Sequence, residues 1–318
     1  MRQAGRYLPE YRKLRLRHSI LELCHDPDLA AEITIQPIER LGVDAAIIFA
    51  DILLPFEALD LGLSFTTGEG PHIARPIGTA ADVSGLPRVD PETELGYVLE
   101  AIRRVRRSLR SDVALIGFAG APFTLASYAI EGGTSRTFTK TKRFMYEAPD
   151  TWHLLLDQFA DLVGRYLAAQ ARAGAQALQL FDSWVGCLSP SDYRTYVQPH
   201  SRRALRRAAE AGVPLIHFGT GTATFLTDFA SAGGDVISVD WRIPLDAAWA
   251  QIGDKRAIQG NLEPAALLAP RAERDQQVRD VLKRAGKRPG HIFNLGHGVL
   301  PETDPDSVRA VVDLVHGG

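Results

Sequence analysis

Val43-Asp44-Ala45-Ala46-Ile47-Ile48-Phe49-Ala50 is a short, almost unbroken apolar run that stops at Asp51. A helix start signal lies upstream of it. Asp26-Pro27 pairs a capping side chain with proline at the first helical position, and the helix is expected to continue to about Arg40. A helix followed by a buried run of strand length is the unit of a parallel α/β sheet, because parallel strands are covered on both faces. If the unit recurs, the fold class follows.

It does recur. Further apolar runs are Val113 to Phe118, ending in Ala119-Gly120-Ala121-Pro122, and Ala175 to Phe181, ending in Asp182-Ser183-Trp184. Pro214 to Phe218 precedes Gly219-Thr220-Gly221, and Val236 to Val239 precedes Asp240-Trp241. Ala257 to Gln259 precedes Gly260-Asn261, and His291 to Leu295 precedes Gly296-His297-Gly298. Helices are expected between them: Asp90-Pro91 starts one running to about Leu109, Ser189-Pro190-Ser191-Asp192 caps another, and Thr303-Asp304-Pro305 caps the last. Residues 61 to 90 are rich in Gly, Pro and Thr and read as an excursion with one short hairpin. These are seven strand candidates, one fewer than closes a (β/α)8 barrel. The expectation is an α/β chain, a (β/α)8 TIM barrel lacking the N-terminal helix and most of the first strand, with residues 1–318 forming one domain. A doubly wound open sheet is the alternative, but no Gly-x-Gly-x-x-Gly turn follows the first strand.

Composition bounds the function. The 318 residues are 45% hydrophobic and 23% charged, with a net charge of −2, as in soluble enzymes and unlike a basic nucleic-acid binder. No apolar run approaches the ~20 residues of a membrane span. Two cysteines, Cys24 and Cys187, provide no disulfide framework and fit a reducing cytosol. The arginine-rich segments Arg103–Arg107 and Arg202–Arg207 fall in helical patterns and read as solvated faces.

In a barrel the C-terminal ends of the strands carry the active site. The polar residues there are Asp51, Tyr128 (slightly beyond its strand), Asp182, Ser183, His217, Asp240 and His297. The three aspartates also suit turns or caps. His217, inside an apolar run, suits a core position; His297, between two glycines, is not demanded by any helix or strand face. Ser183 lacks a nucleophile elbow. The two Gly-x-Gly turns, at 219–221 and 296–298, are compatible with a phosphate, but neither has a lysine beside it. No His-x-x-x-His or Cys-x-x-Cys pair supports a metal, and no nucleotide, flavin or pyridoxal signature is present.

The N-terminal stretch Met1-Arg2-Gln3-Ala4-Gly5-Arg6-Tyr7-Leu8-Pro9-Glu10-Tyr11-Arg12 sets two arginines four residues apart around a glycine. A guanidinium is a rigid fork of donors matched to carboxylates, so the pair reads as an anion clamp. A basic tail and an Arg-rich transit peptide are the other readings. The clamp reading implies a cofactor-free enzyme with an anionic substrate.

Five stretches together resemble the uroporphyrinogen decarboxylase family. They are residues 1–12, Ile48-Phe49-Ala50-Asp51-Ile52-Leu53, Gly117-Phe118-Ala119-Gly120-Ala121-Pro122-Phe123-Thr124-Leu125, Phe181-Asp182-Ser183-Trp184-Val185-Gly186, and Asn294-Leu295-Gly296-His297-Gly298. The resemblance implies a (β/α)8 barrel, a cytoplasmic homodimer with facing clefts, and removal of CO2 from the four acetates of uroporphyrinogen III without cofactor or metal. It implies that Arg2 and Arg6 hold substrate carboxylates, with Gln3, Ala4 and Gly5 lining the same loop. Asp51 then receives the pyrrole N–H groups, and Tyr128, Ser183 and His297 make the remaining polar contacts. Arg2 is the preferred proton donor and Asp51 the second. Family members carry a helix and a strand before the arginine motif, whereas this chain starts inside that strand. Two other readings are a zinc methyltransferase of the same superfamily, whose His-x-Cys ligand pair is missing here, and a non-catalytic tetrapyrrole binder, which has no need of Asp51.

Overall fold

The computed structural model describes residues 5–66 and 70–317. Seven strands form one all-parallel sheet: β1 (Ala45–Ile47), β4 (Ala114–Gly120), β5 (Ala177–Asp182), β6 (Leu215–Gly219), β7 (Val236–Ser238), β8 (Ala257–Leu262) and β9 (His291–Leu295). They are hydrogen-bonded in the order β1-β4-β5-β6-β7-β8-β9, with helical segments between successive strands. This is the curled sheet of the barrel expected from the sequence. The excursion after β1 carries an antiparallel hairpin, β2 (Leu63–Thr66) and β3 (Gly70–Ile73). No helix among the described residues is long and apolar enough to cross a membrane.

The caps lie where the sequence puts them. Asp26 accepts from the backbone N–H groups of Asp28 and Leu29 at 2.9 and 3.2 Å and starts helix Pro27–Leu41. Ser189 and Asp304 cap the helical segments that begin at Pro190 and Pro305 in the same manner. Each such cap contributes about 1 kcal/mol by satisfying otherwise orphaned N–H groups.

Four details depart from the sequence reading. β1 is only three residues long, because the chain leaves the ladder near Phe49. The Phe49 N–H is taken by the buried Thr34 hydroxyl at 2.9 Å. β8 runs on through Gly260-Asn261 to Leu262 where a turn was expected. A Cβ at Gly260 would lie 2.7 Å from the Val239 carbonyl oxygen, so that glycine permits a close strand approach. The helix from Asp90 is broken at Leu95, which is buried and non-helical, and resumes at Gly96. Arg106 does not lie on a solvated face. It donates to the carbonyls of Val113, Leu109 and Arg110 at 2.9, 3.1 and 2.7 Å, and it also reaches Gln176. The helix end is thereby tied to the starts of β4 and β5.

β1 and β9 stand at the two ends of the strand order, where an eighth strand would close a barrel. A cavity of about 480 Å³ lies in this seam, lined by Leu41, Ile116, Phe293, Leu295, Val308 and Val311 among others. β9 is accordingly half-exposed, whereas β6 is buried throughout.

Around the helix between β4 and β5 the core is dense. Trp152 is fully buried in helix Pro149–Ala173, donates to the Tyr196 carbonyl at 2.9 Å and packs against Phe123 at 6.0 Å between ring centroids. Trp152→Ala is expected to lower unfolding free energy by about 3–5 kcal/mol. Urea denaturation checks this, and a loss below about 1 kcal/mol would mean the site relaxes to fill the space.

Candidate active site at the C-terminal ends of the strands

Parallel register brings the strand-end residues to one face. Gly120 pairs with Phe181, Phe181 with Phe218 and Asp182 with Gly219. Phe118, Phe181 and Phe218 form a row of edge-on rings with centroids 5.5 and 5.4 Å apart, and the row continues to His297 at 6.3 Å. Phe118 and Phe181 are half-buried in this row, and Phe218 is buried.

The loops above this row are tied to one another. The Thr220 hydroxyl donates to the Ser183 carbonyl at 2.5 Å, joining the turn after β6 to the turn after β5. Gly186 and Gly221 let those turns lie in contact, since a Cβ at Gly186 would sit 2.3 Å from the Thr220 carbonyl oxygen. The Gly221 N–H donates to Asp240 at 2.7 Å, and Asn261 donates to the Asp240 carbonyl at 2.9 Å. A Cβ at Gly296 would meet the Trp241 nitrogen at 2.7 Å, so the turn bearing His297 packs on the turn after β7. Asp240 therefore has the structural role that its turn position allowed. The 219–221 turn, whose pattern was compatible with a phosphate, has its threonine committed to Ser183.

Tyr128 lies in helix Pro122–Glu131, almost fully buried, with its ring against Trp184 at 5.8 Å. It thus packs on the turn after β5, which carries Ser183. Asp51 follows β1 and is half-buried; its Oδ1 accepts from the Leu53 N–H at 2.9 Å. Ile52 packs where a Cβ on Gly120 would come within 3.3 Å, which sets the Asp51 turn against the end of β4. Burial drives the Cys24 thiol far above its ordinary range, and the nearby negative charges of Asp51 and Glu57 raise it further.

Of the N-terminal stretch, Arg2, Gln3 and Ala4 lie outside the described residues. Gly5 and Arg6 form a tight turn with φ of 94° and 34°. A Cβ at Gly5 would be 3.3 Å from the Tyr11 ring, which itself packs on Phe49 at 5.7 Å, two residues before Asp51. Tyr7 and Leu8 are buried, so this segment is packed against the core, unlike a free tail. Arg12 donates to the Arg6 carbonyl at 2.9 Å and to the Pro301 carbonyl at 2.6 Å, tethering the arginine turn to the loop that carries His297. Arg6 itself is exposed. Tyr11 and Phe49 thus link the Gly5-Arg6 turn to the segment that leads to Asp51, and the Tyr128–Trp184 contact links the helix after β4 to the turn that carries Ser183. The aromatic row and Arg12 connect His297 to both sets.

Sequence reasoning assigned no role to Arg12, Thr124, Trp184 or Thr220. They act through specific hydrogen bonds and ring contacts, which have no sequence periodicity to reveal them. His217 is a core residue: it is fully buried and stacked on Phe229 at 3.8 Å, and burial pulls its pKa down to about 3. Among the described residues no group of three or more His, Cys, Asp or Glu side chains is arranged to hold a metal ion.

Asp182 is fully buried behind the face and accepts from the Thr124 hydroxyl at 2.8 Å. Burial pushes its pKa up to about 7, and the Thr124 hydrogen bond opposes the shift.

A barrel with polar residues gathered at its strand C-termini belongs to the class of barrel enzymes. The sequence model described as "Uroporphyrinogen decarboxylase (URO-D)" matches residues 1–318. "Uroporphyrinogen decarboxylase" of Carboxydothermus hydrogenoformans is 54% identical over 316 residues, covering 99% of this chain and 90% of that protein. The protein of the same name from Sorangium cellulosum is 55% identical over 316 residues, with the same coverage. The chain belongs to the uroporphyrinogen decarboxylase family. Among solved structures, a methyltransferase from Methanosarcina mazei superposes with a TM-score of 0.83 at 19% identity, covering 99% of this chain and 92% of that one. A B12-independent methionine synthase from Shewanella superposes with a TM-score of 0.59 at 11% identity, covering 92% and 87%. These two likenesses are of fold.

The Asp182 shift has a sign in stability. The unfolded chain loses this proton near pH 4, the folded chain only near 7. Its contribution is therefore complete below about pH 4 and is lost as pH rises through about 7, at roughly 1.4 kcal/mol per unit between them. Between pH 5 and pH 8 the wild type is expected to lose about 2–3 kcal/mol more stability than Asp182→Asn. Denaturation of both proteins at the two pH values measures this; equal losses would mean that Asp182 titrates as an exposed carboxylate.

Proposed function

We propose that this chain decarboxylates the four acetate side chains of uroporphyrinogen III to give coproporphyrinogen III, in porphyrin and haem biosynthesis. The observation that carries the reading is family membership across residues 1–318. It is supported by the placement of Asp51, Ser183 and His297 just beyond β1, β5 and β9, and of Tyr128 in the helix after β4.

The substrate is a polycarboxylate and the chain has a net charge of −2, so local guanidinium groups must attract it. Arg2 and Arg6 are assigned to its carboxylates, with Gln3, Ala4 and Gly5 shaping the loop. Tyr128, Ser183 and His297 are assigned to the remaining polar contacts. Loss of CO2 leaves an electron pair that needs a sink, and a pyrrole protonated at its α-carbon supplies one. The C–C bond to the carboxylate breaks and its electrons neutralise the ring; a second proton converts the exocyclic methylene to a methyl group, and the proton first added at the α-carbon leaves to restore the pyrrole, so one proton is consumed for each CO2 released. Arg2 is the assigned proton donor, ahead of Asp51.

Asp51 opposes the ring's positive charge. At ~4 Å and an effective dielectric near ~20 this attraction is worth about 4 kcal/mol, on the order of a thousandfold in rate. Positioning supplies a further part. This chemistry uses no cofactor or metal. A homodimer with facing clefts and a cytoplasmic location belong to the same reading and rest on the family resemblance.

Asp51→Asn is expected to keep macrocycle affinity while losing turnover by about a thousandfold, measured by anaerobic assay alongside a binding titration. Turnover within about threefold of wild type would remove Asp51 from the mechanism. Arg6→Ala is expected to weaken substrate binding by roughly 1.5–3 kcal/mol, the range for hydrogen bonds to a charged group. An unchanged dissociation constant would contradict the clamp.

A further inference from the structure

Thr124 and Asp182 are both fully buried, behind the site and outside the assigned contacts. The Thr124 hydroxyl donates to Asp182 Oδ1 at 2.8 Å and accepts from the Trp184 N–H at 3.4 Å. One hydroxyl thus holds the residues on both sides of Ser183. Tyr128 lies one turn beyond Thr124 in the same helix, and its ring packs on Trp184 at 5.8 Å. The base of that helix is joined to β5 as well, by the Ala121 N–H donating to the Phe181 carbonyl at 2.8 Å. From the other side, Thr220 fixes the Ser183 carbonyl at 2.5 Å.

These bonds leave the β5 turn little freedom relative to the helix. A hydrogen bond from a hydroxyl to a carboxyl group in a dry setting is short and directional, and losing it strands a buried polar atom. Nothing else in the chemistry requires a threonine inside the apolar run Phe123–Ala126.

We propose that Thr124 and Asp182 are positioning residues for the decarboxylation, a buried pair that fixes Tyr128 and Ser183 relative to each other and so shapes the substrate site. The proposal rests on the reading that Tyr128 and Ser183 touch the macrocycle. Neither Thr124 nor Asp182 is assigned any contact with the substrate.

The test is anaerobic steady-state turnover of uroporphyrinogen by the full chain, with rates divided by the folded fraction. Thr124→Val removes the hydroxyl at similar shape and is expected to raise KM by about tenfold or more. Thr124→Ser keeps the hydroxyl and is expected to hold KM within about threefold of wild type. If Thr124→Val only lowers the melting midpoint and leaves KM unchanged, the pair is structural and the proposal is overturned. Should Thr124→Val not fold, Asp182→Asn and Asp182→Leu decide: the amide keeps an acceptor oxygen and the wild-type KM, and the leucine raises KM.

Ser183→Ala and Tyr128→Phe are measured alongside. If both leave KM unchanged, the assigned contacts are wrong and the positioning proposal falls with them. If they raise KM while Thr124→Val does not, only the positioning proposal falls.

Discussion

The parallel hydrogen-bonded register of β4, β5 and β6 is the constraint on which the site depends. Pairing Gly120 with Phe181, and Phe181 with Phe218, lines the lumen with rings and ends the three strands at one level. A slip of one residue would invert every side chain, sending Phe181 to the helix layer and Asp182 into the mouth. The register is held from outside by Gln170, whose side chain exchanges two 2.8 Å hydrogen bonds with the Phe118 backbone. Asp235 does the same service for β6, accepting from the Leu215 N–H at 2.8 Å.

From that level upward the site is made of turns, and turns are mobile unless something fixes them. Here several are bonded together: Ser183 to Thr220, Gly221 to Asp240, Asp240 to Asn261 at the end of β8, and Arg6 through Arg12 to Pro301. The glycines at 186, 221 and 296 are needed because those turns touch backbone to backbone.

Much of this was legible in the sequence. All seven strands of the main sheet, the hairpin between β1 and β4, and the caps at Asp26, Ser189 and Asp304 follow from apolar runs and cap residues, because both signals are local. Strand ends were less well placed. β1 is cut short by a hydroxyl from a helix fifteen residues upstream, and β8 is extended by a glycine that accommodates a neighbouring carbonyl. Neither cause is local. The strand-end position of Asp51, Ser183 and His297 was readable once the barrel was. The bonds around Ser183 from Thr124 and Thr220, and the tether from Arg12 to Pro301, were not, since a threonine in an apolar helix looks the same whether or not a carboxyl group lies opposite. The arginine run at 103–107 shows the converse error: a charged repeat read as solvated contains, at Arg106, a side chain spent on backbone carbonyls.

The account stands or falls on whether this face takes a reduced tetrapyrrole and shortens its acetates. Anaerobic incubation of the purified chain with uroporphyrinogen III, followed by oxidation and chromatographic separation by carboxyl number, measures that directly. Stepwise conversion from eight carboxyl groups to four, with the propionates untouched, is the predicted result. Recovery of the eight-carboxyl porphyrin alone, from folded protein that binds it, would contradict it.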